Sequence, residues 1–141
     1  MIEKTQMLIR IVDDDEPFAD AICFLLLSKG LRAVVHASAE KFLEEDDPSV
    51  PGCLILDYQM PELNGIETQR KLLDKGWRWP VVFMTAHADV DMAVTAFKQG
   101  AFDLLRTCKS SKDHSKPRNE ADTSLKSLFN RGFFLHRDGC I

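Results

Sequence analysis

Residue types that could transfer a phosphoryl group follow three apolar runs of this sequence. They are Asp13, Asp14, Asp15, Asp57 and Thr85. Three adjacent carboxylates repel one another, so such a cluster is either dispersed in solvent or held by a cation. Mg²⁺ prefers oxygen ligands, and a carboxylate can accept a phosphoryl group as an acyl phosphate. We therefore interpret Asp57 as the best candidate nucleophile and Thr85 as a hydroxyl that can donate to a phosphoryl oxygen.

Taken singly, each of these residues has an ordinary structural explanation. An Asp at a strand end is usually a turn residue or helix cap, an acidic run is usually a solvated loop, and Thr85 could simply end a strand. Their joint placement after successive strands is what favours a site.

Apolar and amphipathic segments alternate along most of the chain, which predicts strands alternating with helices. The predicted strands are 7–12, 32–35, 53–57, 80–85 and 102–105, and the predicted helices are 16–30, 38–46, 66–76 and 89–100. The strands are nearly continuous apolar runs, as expected when both faces of a sheet are covered. The pattern predicts an α/β fold with a doubly wound parallel sheet, whose ligands bind beyond the carboxyl ends of the strands.

Composition and charge are those of an ordinary globular protein with an unusual end. The chain has 141 residues, of which 45% are hydrophobic and 28% charged, and no apolar run approaches the roughly 20 residues that span a bilayer. It begins without a secretory leader, so we expect a cytoplasmic location and no membrane contact. Residues 1–105 hold 10 basic and 18 acidic residues, a net charge of −8, whereas residues 106–141 hold 8 and 4, a net charge of +4.

Four stretches carry a resemblance to the receiver domain of two-component response regulators. They are "IVDDDEP" (11–17), "CLILDYQMPELNG" (53–65), "VVFMTAHADVDMAV" (81–94) and "KQGAFDLL" (98–105). The L-D-x-x-M-P-x-x-x-G pattern is specific in this setting, and the resemblance covers about residues 7–106. "SAEKFL" and "TAHADVDMAV" are most similar to the subgroup usually fused to LuxR-type helix-turn-helix output domains. The resemblance implies a flavodoxin-like (CheY-like) sheet of five strands in the order 2-1-3-4-5.

The resemblance also implies a phosphoacceptor and a metal site. Asp57 would accept a phosphoryl group from a sensor histidine kinase. Asp13 and Asp14, with Asp57 and the backbone carbonyl of Gln59, would hold Mg²⁺. The protein would be a switch rather than a turnover enzyme, with at most self-catalysed phosphotransfer and autodephosphorylation.

Further roles follow from the same resemblance. Thr85 would be the switch hydroxyl that moves toward the phosphoryl group, while Gln59 and His87 would tune the lifetime of the acyl phosphate. Asp15 falls outside the metal pair and is expected to cap the first helix. Phosphorylation would alter the face formed by strand 4, helix 4 and strand 5, through which the protein could form a homodimer.

The sequence departs from the family pattern where strand 5 ends. Thr107 occupies the position of the family's lysine, Cys108 that of its proline, and Leu104 that of an aromatic residue. Lys109 could substitute for the lysine, because residues two apart in an extended chain share a face. We therefore divide the chain into a receiver domain, 1–106, and an atypical basic tail, 107–141. We expect a divergent fifth helix near 121–131 and no DNA-binding domain in this chain.

Two other functions remain open from the sequence. The missing lysine and proline favour a pseudo-receiver, which keeps the fold as a binding module without a phosphorylation switch. A haloacid-dehalogenase-like phosphatase is a remote alternative, since Asp13 and Asp15 imitate its D-x-D motif. Pro17 and the absence of a later acidic pair argue against the phosphatase.

Overall fold

Parallel strands alternate with helices in the computed structural model, which describes residues 7–60, 62–76, 79–85 and 90–106. The strands are β1 Leu8–Val12, β2 Arg32–His36, β3 Gly52–Asp57, β4 Val81–Thr85 and β5 Asp103–Arg106. The helices are α1 Glu16–Ser28, α2 Ala39–Glu45, α3 Gly65–Asp74 and α4 Val90–Lys98. The strand order is β2-β1-β3-β4-β5 and every pairing is parallel, so the predicted fold class and sheet order are confirmed.

Both faces of the sheet are covered by apolar side chains, which explains the nearly continuous apolar strands. One core cluster joins α1 to the sheet, with Ile9, Ile11 and Ile22 among its buried members. The other covers the opposite face and includes Phe42 of α2 and Leu72 of α3. The sheet therefore lies between two helical layers. The amino and carboxyl ends of its strands are not covered by these layers.

Local signals account for the ends of the helices. The side chains of Asp15, Ser38 and Asn64 cap the amino termini of α1, α2 and α3 by accepting backbone N–H groups. After α3, Gly76 adopts a φ of 83°, a left-handed conformation that glycine tolerates without strain. The predicted bounds differ from the observed ones by up to two residues. The predicted fifth helix and basic tail lie outside the described residues.

Arg10 is buried within β1, a feature that the sequence analysis did not foresee. Its side chain has no exposed surface, and its Nε donates to Asp46 Oδ1 over 2.6 Å. The guanidinium also donates to the carbonyls of Leu8, Asp47 and Val50, and its Cζ lies 4.1 Å from the ring centroid of Trp79. Burial lowers the pKa of Arg10, while the hydrogen bond and charge of Asp46 act in the opposite direction. This network ties the loop after α2 to the central part of the sheet.

His36, at the end of β2, is expected to make stability depend on pH. Burial is the main cause that lowers its pKa below the ordinary 6.5, and its ring lies 5.2 Å from that of Phe42. The unfolded chain therefore binds this proton more tightly than the folded chain, so stability falls as the pH drops below about 6.5. Urea unfolding between about pH 7.5 and pH 5.5 tests this against His36→Phe, which keeps an aromatic ring. Equal slopes for the two proteins would contradict it.

None of the described helices is long and apolar enough to cross a membrane.

Candidate functional site

Three carboxylates come together at the carboxyl end of the sheet. One oxygen from each of Asp13, Asp14 and Asp57 lies within 4.8 Å of the other two. The register explains this, because Val12 of β1 pairs with Leu56 of the neighbouring β3, and Asp13 and Asp57 are the residues that follow. Asp13 and Asp57 are buried, whereas Asp14 is exposed to solvent. The structure therefore places these three predicted site residues together at the carboxyl end of the sheet.

Asp15 is turned toward the helix that follows it. Its carboxylate accepts a hydrogen bond from the backbone N–H of Phe18 at 3.3 Å, as an N-cap does. Its own backbone N–H donates to Asp13 Oδ1 at 2.9 Å. Asp15 therefore caps α1, as expected, and its backbone also orients a carboxylate of the cluster.

The loop after β3 begins with a backbone contact to Asp57. The N–H of Gln59 donates to Asp57 Oδ1 at 3.3 Å, and the N–H of Tyr58 donates to the carbonyl of Met84 at 2.9 Å. The first contact holds one oxygen of Asp57, and the second fixes the start of the loop against β4. The backbone of this loop therefore restricts the position of the Asp57 carboxylate.

Thr85 ends β4 at the same edge of the sheet. Asp57 pairs with Met84, so Thr85 lies one position beyond the register partner of Asp57. Thr85 is buried and pairs with Arg106 of β5. Two residues that the sequence analysis assigned to this site, His87 and Thr107, lie outside the described residues. Cys108 and Lys109 lie outside them as well.

Gly65 allows the loop after β3 to pack closely against Asp57, the candidate phosphoacceptor. Its N–H donates to the carbonyl of Tyr58 at 2.9 Å. A Cβ at this position would lie 2.8 Å from the carbonyl oxygen of Asp57 and 2.8 Å from Phe83 Cε1. The need for this glycine was not deduced from the sequence, although it ends the L-D-x-x-M-P-x-x-x-G pattern.

Replacing Gly65 by Ala is expected to destabilise the protein by about 1–3 kcal/mol, because the added methyl collides with backbone that is already packed. Urea unfolding gives the loss, and the variant should also acquire a phosphoryl group from acetyl phosphate more slowly. Gly76→Ala is the control, since a Cβ there meets nothing within 4 Å although φ is 83°. Equal effects of both substitutions on phosphorylation would contradict the steric explanation.

The chemistry of the cluster suits a hard divalent cation. All three side chains offer carboxylate oxygens, and two of them are buried, where mutual repulsion is stronger than in water. Oxygen ligands of this kind are typical for Mg²⁺, which usually binds through one or two carboxylates and keeps several waters. The residues present therefore fit a magnesium site.

Comparison with known proteins identifies the family. The family model described as "Response regulator receiver domain" matches residues 9–113. Response regulator protein TmoT of Ectopseudomonas mendocina is 44% identical over 100 residues, which cover 71% of this chain and 46% of that protein. Transcriptional regulatory protein FixJ of Rhizobium meliloti is 39% identical over 101 residues, covering 72% of this chain and 50% of that protein. The chain thus spans about half the length of the curated relatives it matches.

Solved structures agree with this identification. The crystal structure of FixJ-N is 34% identical, with a TM-score of 0.65, and the match covers 90% of this chain and 96% of that one. The structure of the response regulator StyR is 31% identical, with a TM-score of 0.69 over 92% of this chain and 66% of that one. The haloacid-dehalogenase-like alternative is therefore wrong. With its sheet order, its acidic strand ends and a family match over most of its length, this chain belongs to the response regulator receiver domains of two-component signal transduction.

Proposed function

We propose that this chain is a phosphorylation-dependent switch in which Asp57 accepts a phosphoryl group from a sensor histidine kinase. The observation that carries the proposal is the convergence of Asp13, Asp14 and Asp57 at the carboxyl end of the sheet. Receiver domains are signal switches, so the proposal assigns no turnover activity beyond self-catalysed phosphotransfer and autodephosphorylation. It also places the protein in the cytoplasm.

An in-line displacement accounts for the transfer. A carboxylate oxygen of Asp57 attacks the phosphorus of a phosphohistidine, forming a P–O bond while the P–N bond breaks and the imidazole leaves. Asp57 is buried, and the N–H of Gln59 restrains its Oδ1, so the attacking group is held in one orientation. Thr85, at the end of the neighbouring strand, donates its hydroxyl to an oxygen of the transferred group.

We propose Mg²⁺ as the cofactor of this site. Asp13, Asp14 and Asp57 would hold it together with the backbone carbonyl of Gln59. When bound, the ion neutralises negative charge on the phosphoryl oxygens as they approach the carboxylates. The exposed Asp14 leaves one side of the cluster open to solvent and to an incoming phosphoryl group.

The output of the switch is proposed to be the face formed by β4, α4 and β5. Phosphorylation would shift the population between two conformations of this face, and Gln59 and His87 would set how long the phosphorylated state lasts. Val94 and Phe97 of α4 are 44% and 49% exposed, which supports a homodimer or partner contact through this helix.

A pseudo-receiver remains the second candidate, and one observation favours it. Thr107 stands where the family has a lysine that would contact the phosphoryl group. On that alternative the fold and the acidic cluster serve as a binding module, and Asp57 remains unmodified.

Intact mass spectrometry after incubation with acetyl phosphate distinguishes the two candidates. The proposal predicts a single phosphoryl adduct on the chain in the presence of Mg²⁺ and none when EDTA removes the ion. A folded protein that forms no adduct with Mg²⁺ present would contradict the proposal and favour the pseudo-receiver. Circular dichroism under the same conditions establishes that the protein is folded.

A further inference from the structure

The sheet face that carries α1 is buried across its width, although α1 lies over only part of it. Side chains of β3, β4 and β5 belong to the same core cluster as α1, and each is at most 4% exposed: Cys53, Ile55, Val82, Met84 and Leu105. Among the described helices, α1 alone contributes to this cluster, and it packs most closely against β2 and β1. The buried side chains of β4 and β5 therefore need a further cover.

One helix is too narrow to cover this face. Five strands about 4.8 Å apart give a sheet roughly 19 Å wide, whereas a helix with its side chains is about 10–12 Å across. With α1 over β1 and β2, the side chains of Val82, Met84 and Leu105 lie beyond its edge. The other described helices, α2, α3 and α4, contribute to the core on the opposite face. The cover must thus come from outside the described residues.

The basic tail, 107–141, is the segment with enough length and apolar surface to supply it. The other segments outside the description are 1–6, 61, 77–78 and 86–89. Only 1–6 is longer than four residues, and it is attached to β1 rather than to β4 or β5. The tail instead follows β5 directly. Its first part, 107–120, has no large aliphatic or aromatic residue, so the cover comes from beyond residue 120.

Residues 121–131 have the pattern of an amphipathic helix of suitable length. Ala121, Leu125, Leu128 and Phe129 follow the spacing i, i+4, i+7 and i+8, which places them on one side of a helix. Gly132 comes next, as is common where a helix ends. Eleven helical residues span about 16 Å, which is about the length of a five-residue strand such as β4.

We propose that residues 121–131 form a helix that lies beside α1 over β4 and β5 and buries Val82, Met84 and Leu105. Its apolar side faces the sheet, and Lys126 and Ser127 face solvent. The tail is then part of the core, although its sequence departs from the family pattern, and the folded domain extends beyond the boundary predicted at residue 106. Nothing in this proposal depends on phosphorylation.

Nuclear Overhauser contacts between methyl groups test the packing directly in the ¹³C-labelled full chain. The expected result is a set of contacts from Leu125 and Leu128 to Val82, Met84 and Leu105. Their absence from a folded chain would overturn the proposal. Light scattering on the same sample gives the oligomeric state, and a chain that shows these contacts only as a dimer would assign the cover to a second copy and overturn the proposal as well.

Leu128→Glu and Ser127→Glu are a matched pair of variants, because they introduce the same charge on opposite sides of the proposed helix. Oxidation of Met84 by hydrogen peroxide, followed by peptide mass, measures how well the face is covered. Leu128→Glu should oxidise at Met84 roughly tenfold or more faster than the wild type, since a charge cannot be buried against the sheet without a partner. Ser127→Glu should oxidise there like the wild type.

Met7 is the internal control for this experiment. It is buried at the start of β1, away from the proposed helix, so its oxidation reports on unfolding of the whole domain. Equal rates at Met84 in the two variants would overturn the proposal. If Leu128→Glu does not fold, Met7 is oxidised as well, and the contacts measured in the wild-type chain decide the outcome.

Discussion

Replacing Asp57 by Asn is expected to abolish the phosphoryl adduct that forms with acetyl phosphate and Mg²⁺. Asn has nearly the shape of Asp, so the buried position at the end of β3 can be retained. Its neutral amide is a much poorer nucleophile than a carboxylate and forms no acyl phosphate. Intact mass should therefore show complete loss of the adduct, while circular dichroism shows an unchanged fold.

Asp15→Asn is the matched control for this experiment. It removes the same charge from the same acidic neighbourhood, and Asn caps a helix about as well as Asp. The backbone N–H that Asp15 donates to Asp13 Oδ1 remains in place. The control should form the adduct like the wild type. An adduct that persists in Asp57→Asn would contradict the assignment and move the phosphoacceptor to another carboxylate.

The sheet and its acidic edge could be predicted from the sequence because both depend on local patterns. Apolar runs that alternate with amphipathic segments identify parallel strands, and their carboxyl ends meet at one edge. Once β1 and β3 are neighbours and Val12 pairs with Leu56, the residues that follow, Asp13 and Asp57, lie side by side. The order of the strands itself required resemblance to the family, since periodicity does not specify which strands pair.

Features that depend on distant contacts could not be predicted in the same way. Arg10 interrupts an apolar run, and its partners Asp46 and Val50 lie 36 and 40 positions further along the chain. Nothing in the sequence of β1 indicates that Arg10 contacts Asp46 and Val50. The close approach at Gly65 is likewise a matter of distances, because it depends on how tightly the loop after Asp57 folds back on Phe83.

The ends of the elements depend on hydrogen bonds that the sequence pattern specifies only approximately. α3 begins at Gly65, one residue before its predicted start, because the Asn64 side chain accepts from the N–H of Glu67. α1 ends at Ser28, two residues before its predicted end, and Gly30 stops it as expected: Gly30 adopts a φ of 78°, and the N–H of Leu31 donates to the carbonyl of Leu26. Such shifts do not move the site, which is positioned by strand register and not by helix ends.

Replacing Arg10 by Leu is expected to destabilise the protein by about 3–5 kcal/mol. The substitution leaves the Asp46 carboxylate buried without its counter-charge, and removing one partner of a buried ion pair typically costs this much. It also removes the guanidinium donors from the carbonyls of Leu8, Asp47 and Val50. Because the free energy of unfolding of a domain is only about 5–15 kcal/mol, the midpoint of urea unfolding should fall markedly.

Arg32→Leu on the neighbouring strand is the matched control. Arg32 pairs in register with Leu8 but is exposed, so its replacement should change the free energy of unfolding by less than about 0.5 kcal/mol. A double variant, Arg10→Leu with Asp46→Leu, removes the stranded charge and should be more stable than Arg10→Leu alone. If Arg10→Leu unfolds at the same urea concentration as Arg32→Leu, the pair does not hold the loop after α2 to the sheet. Removing the Asp46 carboxylate should restore stability if its unpaired charge is what destabilises Arg10→Leu. If the double variant is no more stable than the single one, the loss of stability arises instead from the missing hydrogen bonds to the backbone carbonyls.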